Sequence, residues 1–553
     1  MPMQETYDVI VLGSGAAGLT AALAAALEGV DVAVFEKAEL IGGTTALSGA
    51  GIWVPGNPVA AEKGVEDSLE EGIAYLSSLS NGMILPELAE ALIAGGPGFV
   101  DFLHEHTDLR LQLVEGYPDY HPEHPGGKPG GGRTLEPGLF SFAGIEEWID
   151  RIAGDIQRIV LAEMPLGGGT GVVAPETLAT RAEAEEEGLG RALVGGLLKA
   201  CLQRGVDVHA GTRALRLCTD EDVVDGVEVE TGDGVKTIGS SAVVLATGGF
   251  EYDPDLVRDF LRGPLTRPIG APTNTGDGLR MAMRVGARLG NMREAWWSPS
   301  VPCPGTRRDG APVAMLSSRE RALPGSIMVN RYGRRFANEA ANYNAFGGAF
   351  HHLDESRLEY PNLPAYMIFD QSTVDRFGVF GARPGDPVPE WVVRASSISE
   401  LAAALDLPVD SVTDTVARFN DHAAHGVDPD FSRGSSAFDR FPGGRMGDPD
   451  SSGATLGPVE TAPFYAVEVI SSALGTKGGP RTDVEGRVLD VDGDVIEGLY
   501  AAGNVMANPS GMVYGGAGAT LAVAGVWGIA AGRAAVADRV PARPEAMQTW
   551  ADA

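Results

Sequence analysis

The sequence predicts an α/β chain that opens with helices packed on a parallel sheet. Three observations predict it. Residues 7–12 (YDVIVL) are an apolar, β-branched run that stops at a glycine-rich turn. An Ala-rich stretch of helical composition follows and ends by Gly29, and a second apolar run, 30–35, closes on Glu36-Lys37. Strand, turn, helix and acid-terminated strand in that order make a dinucleotide-binding βαβ unit of the Rossmann-like kind.

The turn reads Gly13-Ser14-Gly15-Ala16-Ala17-Gly18. Gly13 makes the tight bend, Gly15 lets the backbone reach a pyrophosphate, and Gly18 lets helix and strand pack closely. The helix start offers free N–H groups and a positive dipole end to phosphates. Glu36, with Lys37 beside it, sits where a carboxylate accepts hydrogen bonds from a ribose. Next comes Gly42-Gly43-Thr44-Thr45-Ala-Leu-Ser48-Gly49-Ala50-Gly51. Such small residues can run beneath an isoalloxazine ring where larger ones collide with it, so the expected cofactor is FAD rather than NAD.

At 553 residues the chain is long for one core, and two intertwined domains are expected. The formal net charge of −33 argues against nucleic acid or an anionic membrane surface as partner. Cys201, Cys218 and Cys303 are isolated, with no CxxC spacing. They predict a reducing compartment, the cytoplasm, with no disulfide framework and no metal site. The first strand starts by Tyr7, too early for a secretory leader. No apolar run is expected to reach the ~18 residues of a transmembrane segment, the nearest being 517–531.

Residues 67–102 have helical spacing with a Gly-Gly-Pro break at 95–97. Residues 114–133, which carry Tyr117, Asp119, Tyr120 and His121, are too rich in Gly and Pro for an element interior and predict a loop. That loop either walls a pocket or packs its tyrosines on the surface. A helix is expected over 181–200, strands over 206–209 and 214–217, and a hairpin of 223–229 with 235–238. Ala214, at the head of its strand, is counted with the cofactor contacts. A buried strand, 242–245, ends in Ala246-Thr247-Gly248-Gly249, small enough for close approach to the adenosine half of FAD. Asn274 to Gly278 caps a helix running to about 286, and Asp277 either serves that helix start or touches cofactor.

Character changes near 289, where Trp296, Trp297 and a proline cluster appear. An inserted α+β catalytic domain is expected over 289–461, leaving 1–288 and 462–553 as a discontinuous FAD-binding domain, a parallel sheet with antiparallel additions. The insert holds an amphipathic helix, 411–424, and a polar loop, 431–452. The chain then returns to the first domain with a strand at 464–470, a hairpin at 486–493 and a buried strand at 498–504 ending in Gly503-Asn504. Tyr514-Gly-Gly-Ala-Gly518-Ala519-Thr520-Leu521 opens the last helix. A glycine turn feeding a helix N-terminus suits the pyrimidine end of a reduced flavin, where negative charge develops.

GGTTALSGAG, ATGG, TGDG, VNRYGRRFANEA, GTKGGPRTD and GLYAAGNV together resemble the flavoprotein family of fumarate reductases and 3-ketosteroid Δ1-dehydrogenases. The resemblance spans nearly the whole chain. Covalently flavinylated members carry a histidine near the GGT segment; none precedes His104 here, which implies noncovalent FAD. Fumarate reductases place a proton-donating arginine where this chain has Tyr343, and a His/Arg carboxylate clamp where it reads Asn508 to Tyr514. The steroid dehydrogenases have tyrosines matching Tyr120, Tyr343 and Tyr514, so the resemblance favours the dehydrogenase branch. Their Tyr-Pro-Gly-Pro-Gly departs from Tyr514-Gly-Gly-Ala-Gly518 here, which loosens the turn and puts the steroid, more than the chemistry, in question.

The resemblance implies desaturation next to a cyclic ketone. Tyr514 hydroxyl and Gly518 N–H polarise the carbonyl, Tyr343 removes the α-proton with Tyr120 hydrogen-bonded to it, and flavin N5 takes the β-hydride. A tyrosine with an ordinary pKa near 10 needs a neighbour that favours phenolate, and the sequence does not name one. Steroid and smaller alicyclic ketones both remain candidates, as do an ene-reductase running the reaction backwards and a flavin-binding protein without turnover. No second strand-borne GxGxxG for NAD(P) follows, so quinone, another protein or oxygen is the expected electron acceptor.

Overall fold

The expected βαβ unit opens the structure, a computed structural model that describes residues 3–444 and 451–539. It consists of strand Thr6–Leu12, helix Ala16–Ala26 and strand Val32–Phe35. The first strand is central in an eight-stranded sheet. It runs parallel to Val32–Phe35 on one side (Val9 opposite Val32) and to Gly234–Leu245 on the other (Val9 opposite Ala242). Asp207–His209 extends one edge, and Val495–Ala501 with Arg487–Leu489 extends the other.

The strands expected at 235–238 and 242–245 are one strand, Gly234–Leu245. Its first half pairs antiparallel with Val223–Thr231 and its second half parallel with Thr6–Leu12. The serines between the halves do not break it, because Ser240 Oγ donates to the Ala242 carbonyl at 2.8 Å and so satisfies itself within the strand.

The helix break expected at 95–97 does not occur. Leu69–Leu79 is followed by Pro86–His106, which runs unbroken through Pro97. The glycines there are a packing signal: a Cβ on Gly95 would lie 2.7 Å from Val526, and one on Gly96 2.8 Å from Val54. The helix expected over 181–200 divides into Pro175–Glu183 and Leu189–Gln203 around a short strand, Glu186–Glu187. Glu187 leaves the helical pattern because its carboxylate turns inward to a buried ion pair with Arg191.

A second, wholly antiparallel sheet orders Ala311–Leu316, Ala295–Arg308, Phe464–Thr476, Ala365–Asp370 and Ser326–Asn330, with Val393–Ala395 also on Phe464–Thr476. The strand at 464–476 therefore belongs to this sheet and not, as expected, to the first. Its inward-facing run pairs with Ala365–Asp370 in register from Ala365/Val469 to Asp370/Phe464, across the 461/462 boundary set by sequence. The expected loop 431–452 holds a helix, Ala437–Gly444. Asp439 fixes it by accepting from Asn338 Nδ2 and Gly434 N, contacts that loop composition does not reveal. Residues 445–450 of that loop lie outside the described residues.

The last helix, Ala519–Ala537, has the length and apolar composition to cross a membrane, contrary to the expectation for 517–531. Most of it is buried in the fold. Gly528 and Gly532 sit against Thr20 and Ala21 of the first helix, and Gly525 against the ring of Phe99. A core helix packed by glycines reads as apolar without being lipid-facing.

Candidate functional site

The carboxyl ends of the parallel strands open into a cleft with a cavity volume of about 360 Å³. In open α/β sheets that is where ligands lie. Gly13, Gly15, Ala16, Ala17, Glu36 and Lys37 line it, as do Gly43, Thr44, Thr45, Ser48, Gly49, Ala50 and Gly51. Ala214, Ala246, Thr247, Gly248, Asn274, Asp277, Gly503, Asn504, Thr520 and Leu521 line it too. Three expected contacts do not line it. Gly18 faces the strand instead, since a Cβ there would stand 1.9 Å from the Gly13 carbonyl oxygen. Gly42, in the left-handed region at φ 100°, packs on Ala46 and Val194, and Ala519 turns its N–H to the Gly516 carbonyl.

The nucleotide end is shaped by backbone. Gly13 has φ 105°, and a Cβ on it would strike the Ala246 carbonyl at 2.4 Å. Glu36 is buried, and its carboxylate accepts from Ser14 N (3.0 Å), Ser14 Oγ (2.8 Å) and Ala38 N (2.9 Å). Thr45 Oγ1 accepts from Ala16 N at 3.0 Å. Lys37 Nζ donates to Asp277 at 2.9 Å and to Thr275 at 2.6 Å. Burial raises the Asp277 pKa, but Lys37 and Arg213 outweigh it and hold the carboxyl below its usual range. Thr247 Oγ1 is buried on the cleft wall with no protein partner. A glycine cradle, a buried acid at the strand end and an unpartnered hydroxyl fit a dinucleotide.

Tyrosines gather at the other end. Tyr120, Tyr343 and Tyr514 are all buried, with ring centroids 5.2–5.6 Å apart in edge-on contacts. Tyr117, Tyr120, Tyr343, Tyr514 and Gly518 all line the cleft. The 114–133 loop is pinned beneath them. Asp119 accepts from Trp53 Nε1 (2.7 Å) and Arg133 Nη1 (2.8 Å), while Arg133 also clasps Asp67. Burial pushes the Asp119 carboxyl up to about 6 despite Arg133. Of the two loop readings, the pocket wall is the one observed.

Burial raises the pKa of Tyr343 and Tyr120 well above 10. Burial raises Tyr514 as well, but it is opposed by hydrogen bonds from Thr520, Tyr343 and the Gly518 and Thr520 N–H groups. Thr520 Oγ1 is 3.0 Å from its hydroxyl oxygen. A hydroxyl held at a helix N-terminus is a stronger hydrogen-bond donor.

Several lining residues escape the sequence reading. Tyr117 was weighed only as part of the loop. Leu161 and Leu166 come from single-turn helices, Leu161–Glu163 and Pro165–Gly167, whose pattern gives no periodic signal. Leu316, Ile269 and Leu474 add apolar wall. Trp296 lies 4.4 Å from Tyr514 between centroids and donates to Asn504, with Lys477 Nζ 3.8 Å from its ring centroid. The tryptophan pair and the lysine of GTKGG were the available signals.

Comparisons with known proteins show the family. The FAD-binding domain family matches residues 8–521. A 4-oxocyclohexanecarboxylate 2-dehydrogenase of Sinomonas cyclohexanicum is 41% identical over 540 residues, 96% of this chain and 93% of that protein. A 3-oxosteroid 1-dehydrogenase of Mycobacterium tuberculosis is 39% identical over 572 residues, 96% of this chain and 98% of that one. The crystal structure of the Sterolibacterium denitrificans 3-ketosteroid Δ1-dehydrogenase with 1,4-androstadiene-3,17-dione superposes with TM-score 0.88 at 31% identity, covering 97% of this chain and all of that one. The chain belongs to the FAD-binding domain family and is an FAD-dependent oxidoreductase of its 3-ketosteroid Δ1-dehydrogenase-like branch.

Proposed function

We propose that this chain introduces a C=C bond α,β to the carbonyl of a cyclic ketone. The observation that carries the reading is the convergence of Tyr120, Tyr343 and Tyr514 beside Gly518 at one end of the cofactor cleft. The relatives named for ketone dehydrogenation support it, one acting on a carboxylated cyclohexanone and another on steroids.

Tyr514 hydroxyl and the Gly518 N–H, which the substrate takes over from Tyr514, grip the ketone oxygen and stabilise the enolate that forms as the α-proton leaves. Tyr343 accepts that proton through its phenolic oxygen. Tyr120, in hydrogen-bond contact with Tyr343, favours its phenolate against burial and Tyr514, which raise its pKa. Bound FAD supplies the acceptor for the two electrons and β-hydrogen that leave as hydride. The apolar walls from Leu166, Leu316 and Leu474 keep water from the enolate.

Among the described residues no histidine or cysteine lines the cleft, which supports noncovalent FAD. The electron acceptor is then a quinone, another protein or oxygen. The free thiols of Cys201, Cys218 and Cys303 support a cytoplasmic setting.

The test is anaerobic bleaching of the flavin by cyclic ketones, paired with Tyr343→Phe. The variant should keep its flavin and lose about 10²–10⁴-fold in reduction rate, the span of a positioned proton-transfer group. Near-normal bleaching in Tyr343→Phe removes Tyr343 as base, and no bleaching of the parent by any cyclic ketone removes the reading.

A further inference from the structure

A second, smaller cavity adjoins the tyrosine end. It has a volume of about 20 Å³, and Tyr117, Leu166 and Tyr343 belong to its wall as well as to the main cleft. That is room for one oxygen-sized atom beyond the ring-binding space. Ser318 and Arg321 also line it.

Both carry unsatisfied polar groups. Ser318 Oγ and Arg321 Nε are each buried with no hydrogen-bond partner. Arg321 is 1% exposed, donates through Nη1 to the Glu339 carbonyl, and has its guanidinium carbon 5.1 Å from the Phe346 ring centroid. Among the described residues no carboxylate comes within 4.0 Å of it. Asp439 and Glu339 favour its charge from beyond contact distance, and Glu339 is itself held by Arg335 at 2.7 Å and Arg433 at 3.3 Å. Burial and the like charge of Arg433 push the Arg321 pKa down to about 9. Arg319 also faces this cavity, but its guanidinium donates to the Phe377 and Gly378 carbonyls.

Asp439 and Glu339 do not offset burial and Arg433, and a buried guanidinium with no carboxylate in contact is stabilised by an anion that reaches it. The free Nε–H and the Ser318 hydroxyl can both donate to one carboxylate oxygen, the single atom that the small cavity admits, while the second oxygen stays in the main cleft. We propose that Arg321 and Ser318 form an anion subsite that holds the carboxylate of a carboxylated monocyclic ketone while its carbonyl lies on Tyr514 and Gly518. The inference rests on the ketone-dehydrogenase reading above and narrows it from cyclic ketones at large to acid-bearing ones. A hydrocarbon steroid ring offers nothing to neutralise Arg321, and inserting one there would leave both polar groups unpaired.

The test measures binding to the FAD-loaded protein under nitrogen by the perturbation of the flavin spectrum in the mixing phase that precedes any bleaching. The probes are cyclohexanecarboxylate, 4-oxocyclohexanecarboxylate, the methyl ester of the latter, and androst-4-ene-3,17-dione. The acid should bind at least about tenfold more tightly than its ester, as a charge-assisted hydrogen bond warrants. That ratio should fall toward one in Arg321→Gln and decline partway in Ser318→Ala. Arg321→Lys, which keeps charge but loses the Nε–H, should give an intermediate ratio and serves where Arg321→Gln does not fold.

An acid-to-ester ratio near one in the parent protein means the cavity holds only a water and overturns the proposal. So does a ratio left unchanged by all three substitutions. Equal weakening of acid and ester would instead make Arg321 an electrostatic aid to the tyrosines, and also overturns it. Binding of cyclohexanecarboxylate through Arg321 without bleaching by any ketone would keep the subsite while removing the desaturase reading.

Discussion

The two ends of the cleft are built on opposite plans. The nucleotide end is made of backbone and small residues contiguous in sequence. Gly13, Gly15 and Gly18 lie within six residues, and Glu36 closes hydrogen bonds onto Ser14 in the same unit. The tyrosine end is made of large buried side chains from segments more than two hundred and more than one hundred and fifty positions apart, Tyr120 to Tyr343 and Tyr343 to Tyr514. Its loop is held by a buried Asp119–Arg133–Asp67 arrangement beneath Trp53. The difference teaches which substitutions each end resists. The first fails when atoms are added, the second when a polar atom is removed.

The largest effect is expected from adding atoms to the first end. In Gly18→Val the new Cβ falls 1.9 Å from the Gly13 carbonyl oxygen, with backbone that cannot yield. Helix and strand must part, and the turn with them. The purified protein should carry almost no flavin, read as the ratio of flavin to protein absorbance, with or without added FAD. Full flavin content in Gly18→Val would mean the close packing of helix on strand does not shape the cofactor end.

The second effect tests the other plan. Tyr514→Phe keeps the ring contacts with Trp296, Tyr120 and Tyr343 and deletes one hydroxyl. Flavin content should stay at the parental level, while anaerobic flavin reduction by ketone slows about 10²–10³-fold, the usual loss for one oxyanion-stabilising donor. If flavin is lost together with the rate, the two ends are not separable and the contrast drawn between them fails.

The same contrast explains what the sequence made legible. The nucleotide end was readable because its chemistry is local: glycine spacing and an acid-terminated strand carry their own geometry. The tyrosine cluster was not readable from periodicity, since nothing within residues 114–133 points to Tyr343 or Tyr514; it came from resemblance alone. Arg321 and Ser318 were invisible for a further reason. In sequence, Ser318-Arg-Glu-Arg321 looks like a solvated charged turn, and only the fold shows that Arg321 is buried and that its Nε and Ser318 Oγ lack partners. Likewise Gly95, Gly96 and Pro97 signalled a break because glycine's packing role depends on Val54 and Val526, which lie elsewhere in the chain. The strand at 464–476 was assigned to the wrong sheet because an apolar run does not state its partner.

The smallest effect probes a buried acid near the nucleotide end, where the backbone plan has an exception. Glu251 is 3% exposed and accepts from Asn274 Nδ2 at 2.7 Å, and burial pushes its pKa from 4.5 to about 7. The folded chain thus holds a proton on Glu251 between about 4.5 and about 7 that the unfolded chain has released. Stability from this group is fully present below its unfolded value and is lost as pH rises through about 7. Glu251→Gln keeps an oxygen for Asn274 but cannot ionise, so it removes that slope. Between pH 5 and pH 8 the melting temperature of the FAD-loaded parent should fall more than that of the variant, by a margin on the order of a few degrees. Parallel melting curves for the two proteins would show that Glu251 ionises in the fold as readily as in water. Glu251 would then be no exception to the backbone plan, and the contrast with the tyrosine end would sharpen.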